Sequence, residues 1–533
     1  MLRPHRRHCL AGGAALLAAG GVGRAAAAPS DLYRRGNDAD PETLDPHKSS
    51  TVAEAHILRD LYEGLLTYDN HGAIIPGAAT AWTLSEDRLT YAFTLRDDGR
   101  WSNGDPVRAA DFVFALRRIL APATAAKYAE ILFPLKNARS VNQGALPPES
   151  LGVAAPDERR LVLTLEQPTP YLLELLTHQT SLPVHPPSVA RHGDAFARAG
   201  NSVTNGPYRL REVVPNDRIT LERNPHFHAA ATVAIPQVAF LPTPDLSSAV
   251  RRYAAGEIDS LADLPGDQIA SLQARFGSQV VLGPALGLYA LAVNTRKAPF
   301  DDVRVRRALS LVIDREFLAS KLWGETMEPA YALCPPGLDH YRTPPETAGR
   351  EALPIDREDE ARALLAAAGF GEGRPLRVEY RFNTSDNNRN TALAIADMWR
   401  GIGVVSRFVY TDAKTHFAYL RDGGDFDVAR MSWIADYSDP QNFLFLLESG
   451  NDGLNPGHYS NPAYDALMRR AAAERDIARR ADILYEAETI VVTELPWIPV
   501  MHTRSKALIA PRLAGYHPNL RNAAPTRFLR LTA

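Results

Sequence analysis

From Tyr289 onward, short apolar runs alternate with amphipathic stretches at helical spacing, and this alternation restricts the possible folds more than any other feature. Tyr289-Ala290-Leu291-Ala292-Val293-Asn294 reads as a buried strand. Asp302 is placed to cap a helix over 303–313, whose inner stripe is Val305, Leu309, Val312 and Ile313. A helix over 358–368 stops at Gly369, a strand covers 376–380, a helix carrying 393–399 stops at Gly401, and a strand covers 404–410. Strand, helix and strand in repetition imply α/β character.

The first half has another texture. Asp40-Pro41 and Asp45-Pro46 hold an extended, turning loop, followed by a helix expected over 54–66. Residues 75–182 mix strands with one strong helix over 109–120, expected to bury Phe112, Leu116, Ile119 and Leu120. This block reads as an α+β insert. Short strands are expected at 206–210, 219–223 and 238–241, and again after residue 504. His56 and the pair His226 and His228 have no third ligand at metal spacing, and read as packed or surface histidines.

Phe426 to Pro440 collects polar chemistry at a strand end. Phe426 and Val428 are expected on one face, Asp427 and Ala429 on the other, with Ser438-Asp439-Pro440 as the turn. Before that stop stand Arg430, Trp433, Asp436 and Tyr437. A carboxylate beside aromatic faces seats an ammonium, and an arginine six residues away holds a carboxylate bidentately. An extended zwitterion such as a peptide fits between them. The same residues also suit a buried strand with an ion pair and a solvated turn.

A chain of 533 residues exceeds one core and implies two or three domains. Residues 1–28 have the parts of an export signal: a basic start (Arg3, Arg6, Arg7), an apolar run from Cys9 to Val22, and small residues to Ala28. The run is too short and glycine-rich to span a membrane, and Cys9 follows Arg7-His8, which argues against a lipid anchor. Without this segment the chain holds 55 Lys and Arg against 62 Asp and Glu, a balance unsuited to nucleic acid. Cys334 then stands alone, so no internal disulfide forms, and it reads as a small buried hydrophobe. Nucleophile elbows, zinc spacings, phosphate loops and dinucleotide fingerprints are all missing from the sequence, which favours binding over catalysis; no cofactor is expected.

Several spaced motifs then combine. They are Pro41-x-x-Leu44-Asp45-Pro46, Leu61-Tyr62-Glu63-Gly64-Leu65, Trp101-Ser102-Asn103-Gly104-Asp105-Pro106-Val107, and Asn205-Gly206-Pro207-Tyr208. Pro299-Phe300-Asp301-Asp302-Val303-Arg304-Val305-Arg306, Asp427-Val428-Ala429-Arg430 and Trp433-x-Ala435-Asp436-Tyr437 follow in register. Over nearly the whole chain the series resembles the family 5 extracellular solute-binding proteins of ABC importers, most nearly their oligopeptide-binding members. The resemblance implies an α/β, two-lobed periplasmic binding protein fold of type II, in its large three-domain form. One lobe would join 30–75, 195–288 and 504–533 with the insert 76–194; the other would be 289–503. It also implies a monomer in the periplasm that takes short peptides to membrane permease subunits. The peptide would lie as an added strand between Ser50-Thr51-Val52 and Ser432-Trp433-Ile434. Asp436 would pair with its ammonium, Arg430 and Arg421 would face its carboxylate, and Asn383 would keep a matching loop. Trp323 and Asn388 stand where relatives carry a further lysine and histidine, and Gly287 and Ala435 where two cysteines are paired. A dipeptide, cell-wall peptide, metal chelate or glycoside remains open as cargo, and a secreted hydrolase as a different class.

Overall fold

A computed structural model describes residues 31–451 and 453–532, so the export signal expected over 1–28 lies outside the described residues. An eleven-stranded mixed sheet forms the backbone. In spatial order it runs Val404–Thr411, Leu376–Asn383, Val428–Ile434, Val280–Val293, Trp497–Ile509, Ser260–Leu261, Leu32–Gly36, Gln237–Leu241, Arg218–Arg223 and Tyr208–Val214. Met327–Pro329 pairs with Trp497–Ile509 beside this path.

The first three strands are mutually parallel, and the helix Asp386–Gly401 makes the crossover between two of them. Leu288, Ala290 and Ala292 pack into one apolar cluster, and Tyr289, Leu291 and Val293 into another. Both faces are covered, which is why this run carries no polar alternation. Asp302 caps the helix Val303–Leu311 through Arg304 N, as its position predicts.

Val280–Val293 and Trp497–Ile509 are long antiparallel partners that pass through both halves of the sheet. Residues 280–284 pair with 504–508 beside Ser260–Leu261, and residues 288–292 pair with 497–502 in the other half. The register shifts between Pro284 and Leu288, and a shift of this kind bends a two-stranded ribbon. Of the segment expected as short strands after residue 504, residues 504–509 are the far end of this 13-residue strand, and Leu513–Ala514 and Arg530–Leu531 form a short antiparallel pair beyond it.

The helix expected over 54–66 is Val52–Leu61, and Tyr62 is already extended, so Leu65 lies off it. Thr51 and Glu54 form a reciprocal cap that starts the helix two residues early. Four short strands, Ala79–Leu84, Thr90–Leu95, Val153–Ala154 and Arg160–Thr164, make a separate antiparallel sheet against the helix Ala109–Leu120. That helix buries Phe112, Leu116, Ile119 and Leu120. One apolar cluster nonetheless runs from Tyr33 and Leu58 through Phe93 and Phe112 to Phe240, so the insert shares its core with the segments on either side. Cys334 is buried, and burial with Glu488 beside it pushes its thiol well up. His228 pairs with Glu63 at 2.9 Å, and His56 meets Asn37 Oδ1 at 3.2 Å.

Candidate functional site: an open strand edge facing a cleft

The strand Val428–Ile434 pairs along its whole length with Val280–Val293, Ile434 lying opposite Gly287. On its other edge only Val428 and Ala429 have strand partners, Tyr380 and Arg381. Beyond them the edge from Arg430 to Ile434 has no strand beside it among the described residues, although the Arg430 carbonyl meets His416 Nε2 at 2.9 Å. Such an edge is a template for one more extended chain.

Side chains alternate along it. Ala429, Met431 and Ala435 are buried in one cluster with Trp433 against it, while Val428 belongs to the cluster on the other face. Phe426 packs in the Ala429 cluster, so it does not share a face with Val428 as the alternation predicts; the strand begins only at Val428. The even positions then leave the core, from part-buried Arg430 and Ser432 to Ile434, 75% exposed.

Ile434, Ala435 and Asp436 line a cleft of about 490 Å³ together with Ser50, Thr51 and Val52. Val52 is 59% exposed there, the counterpart of Ile434. The N–H groups of Ser50 and Thr51 are both committed to Glu54 Oε2, at 2.8 and 2.9 Å, as part of the helix cap. In this arrangement the N–H groups of those two residues are already used, and the exposed Val52 side chain faces the cleft.

Asp436 makes no hydrogen bond or ion pair with any described residue. The surrounding protein and the negative charge of Glu130 push its carboxyl up to about 6. A carboxylate crowded by protein and lacking a cation is a seat for one. The aromatic rings expected beside it are elsewhere. Trp433 turns into the core, its Nε1 donating to Asn442 Oδ1 at 2.9 Å and its ring edge-on to Phe445. Tyr437 stacks on Tyr171 and donates to Gln441 Oε1 at 2.6 Å. Tyr68 and Tyr128 are the tyrosines sharing the cleft lining with Asp436, and Tyr128 stacks on His178 with centroids 5.7 Å apart. Lys127-Tyr128-Ala129 carries no motif that marks it in the sequence.

The remaining candidates form a second group, away from that lining. Arg430 lies over Tyr289 at 4.9 Å and Phe417 at 5.6 Å, and donates to Asn383 Oδ1 at 3.1 Å. Its Nε is buried without a partner. Asn388 donates to Asn383 O at 3.1 Å, and Trp323 donates to Thr391 Oγ1 at 2.9 Å while meeting Tyr289 edge-on. Arg421 is exposed on the end of the helix Ala413–Arg421, with Asp422 3.7 Å away. At Gly287 a side chain would collide with Thr503, so the place of the first absent cysteine is filled.

Residues 73–455 match bacterial extracellular solute-binding proteins, family 5, middle region. The periplasmic oligopeptide-binding protein OppA of Escherichia coli K12 is 37% identical over 518 residues, covering 95% of this chain and 94% of that protein. Among solved structures, the murein tripeptide binding protein MppA in its unliganded open form is 34% identical and overlaps with a TM-score of 0.86, covering 95% of this chain and 98% of the other. The Haemophilus influenzae OppA complex with the peptide RPPGFSPFR, also 34% identical, gives 0.74 over 94% and 99% of the two chains. The greater overlap is with the open form.

Proposed function

This chain belongs to the bacterial extracellular solute-binding proteins of family 5, and on that premise we propose that it captures short peptides and delivers them to an ABC importer. The observation that carries this is Asp436, a carboxylate unpaired among the described residues with its pKa raised to about 6, next to a strand edge open from Met431 to Ile434. The peptide backbone pairs with that edge, its ammonium sits at Asp436, and its carboxylate end runs toward Arg430 and Arg421. At about 3.3 Å per residue, the six steps from Arg430 to Asp436 span roughly 20 Å, room for a peptide of about three to five residues. Reading main chain and termini in this way leaves side-chain preference loose.

The two lobes, 30–75 with 195–288 and 504–533 plus the insert 76–194, and 289–503, close on the peptide by bending the two strands that join them at the Pro284–Leu288 register shift. The protein acts as a periplasmic monomer after loss of residues 1–28, without a cofactor, and binds without turnover. The other reading is the same fold with a different cargo, favoured by Trp323 and Asn388 standing where further cations would grip a peptide carboxylate.

Calorimetry with tri- to pentapeptides tests this. Asp436→Ala is expected to weaken binding by about 2–5 kcal/mol, the usual cost of leaving a buried charge unpaired. N-acetylated peptides are expected to bind the native protein as poorly. Equal affinity for free and acetylated peptides would remove Asp436 from the site, and release of cleaved peptide would replace binding with hydrolysis.

A further inference from the structure

Arg59 lies in the last turn of the helix Val52–Leu61 and lines the same cleft as Asp436. Its Nε is buried without a partner, and its guanidinium makes no hydrogen bond or ion pair with any described residue. It lies over the ring of Tyr68, 5.9 Å from its centre. Arg521 lies over the same ring at 5.5 Å, yet Arg521 is held by Glu174 at 2.8 Å and by Asp339. The other cations of the lining are paired as well: Lys506 with Asp263 at 2.9 Å, and Arg504 with Glu328 at 3.3 Å. His56 and His178 share this wall; burial pushes both down, helped by the charges of Arg35 and then Arg59 at His56 and of Arg59 at His178, so they stay neutral. Arg59 is thus the cation of the described lining without an anion of its own.

A second orphan stands close by in sequence to His178. Gln179 is buried, lines the cleft, and its Oε1 accepts no hydrogen bond. A buried guanidinium without a counterion lowers stability, and burial itself pulls its pKa down. Such a cost is normally removed by a carboxylate. None of the described residues supplies one.

We propose that Arg59 is a second charge seat in the cleft, for a carboxylate that the ligand carries close to its ammonium end, with Gln179 accepting a ligand N–H beside it. The ligand class is then a short peptide with an acidic residue near its amino terminus, or a dipeptide whose own terminal carboxylate falls there. This deepens the peptide-binding function proposed above and rests on it. The cleft would hold charges of both signs apart from one another: Asp436 from the second lobe for the ammonium, Arg59 from the first for the carboxylate. A ligand bridging them ties the lobes together electrostatically as well as by backbone pairing.

The test is calorimetry at pH 7.5 with Ala-Ala-Ala, the pairs Glu-Ala-Ala and Gln-Ala-Ala, and Ala-Glu-Ala and Ala-Gln-Ala, and Ala-Ala against its C-terminal amide. The native protein is expected to prefer the acid over its amide in at least one pair by ~10-fold, the scale of one charge-assisted contact. The pair that shows it tells which source of carboxylate is taken. Arg59→Gln and Arg59→Met are expected to erase that preference, and Arg59→Lys to keep part of it. Thermal denaturation of unliganded Arg59→Met separates a binding arginine from a structural one: the melting temperature should hold or rise, since no pair is broken. Equal binding of acid and amide in every pair, while Ala-Ala-Ala binds, overturns the Arg59 seat alone. A native, folded protein that binds none of these peptides overturns the peptide function and this inference with it.

Discussion

Tyr171 and Tyr437 stack face to face, with ring centroids 4.4 Å apart and planes 8° apart. Tyr437 directly follows Asp436, and under the division proposed above Tyr171 falls in the insert of the first lobe and Tyr437 in the second lobe. The guanidinium of Arg480 lies 5.8 Å from the centre of the Tyr171 ring, so the contact is a small stack of cation and two aromatics. The proposed seat for a ligand's ammonium and this aromatic contact are therefore on adjacent residues.

A stacked aromatic pair contributes about 0.5–1.5 kcal/mol beyond the area it buries. The overlap is greater with an unliganded open form (TM-score 0.86) than with a peptide complex (0.74), and a stack made here and broken on closure favours the open arrangement. Tyr171→Leu, which keeps an apolar side chain at the contact, is expected to tighten tripeptide binding about 2–10-fold by shifting the lobes toward closure. Calorimetry giving equal or weaker affinity in a folded variant would exclude a role in holding the cleft open.

Asp436 links pH to both stability and binding, in opposite directions. Its carboxyl is raised from 3.8 to about 6, chiefly by burial and secondly by Glu130. A raised pKa means the protonated form is favoured in the fold, so its contribution is complete below about pH 4 and is lost as pH rises through about 6. Asp436→Asn is therefore expected to melt higher than the native protein at neutral pH, with the difference closing toward pH 4. The side chain also touches solvent, which limits the gain to about 1 kcal/mol or less. Peptide affinity runs the other way, since the ammonium needs the carboxylate; below pH 6 it should fall by up to ~10-fold per pH unit. Scanning calorimetry showing a constant melting difference from pH 4 to 8 would mean that this carboxyl titrates normally.

How much of this was legible in the sequence depends on the range of the interactions involved. The apolar run 289–293, the Asp302 cap and the stripe on Ala109–Leu120 follow local rules, and the structure keeps them. The buried strand read from Tyr289 to Asn294 is, as far as Val293, the last part of Val280–Val293, which long-range pairing with Trp497–Ile509 extends back to Val280. The rings of Trp433 and Tyr437 look like walls for Asp436 in the chain. Asn442 and Tyr171 decide their orientation instead, one nine residues away and the other in a different lobe. Tyr128, Arg59 and Gln179 reach the cleft from segments with no motif of their own, and only the packing brings them there. The resemblance to a family supplied Asp436; the absence of a partner for Arg59 is a fact of three dimensions.

Asp439 and Arg480 form a bidentate pair, Nη1 to Oδ2 at 2.8 Å and Nη2 to Oδ1 at 2.9 Å, with side chains only 2% and 4% exposed. Removing one member strands the other charge in the protein interior. Asp439→Asn and Arg480→Met are each expected to cost about 3–5 kcal/mol in urea unfolding. The double variant should recover much of that loss, because neither charge is then buried alone. Additive losses in the double variant would show that the two side chains act independently.

Gly287 lies opposite Ile434 on the strand that passes between lobes. A Cβ there would collide with Thr503 Oγ1 and come within 2.9 Å of its Cγ2, while Thr503 is held in the neighbouring strand opposite Met327. Gly287→Ala must push the two crossing strands apart at the place where they change register. Overpacking of this kind costs about 1–3 kcal/mol. Because the displaced strand pairs with Val428–Ile434, with Gly287 opposite Ile434, which stands two residues before Asp436, peptide affinity should fall together with stability. Thr503→Gly removes the colliding atoms, so Gly287→Ala with Thr503→Gly is expected to regain stability relative to the sum of the two single changes. A Gly287→Ala protein that unfolds at the native urea concentration and binds tripeptide normally would show that the strands absorb the extra carbon without moving the edge.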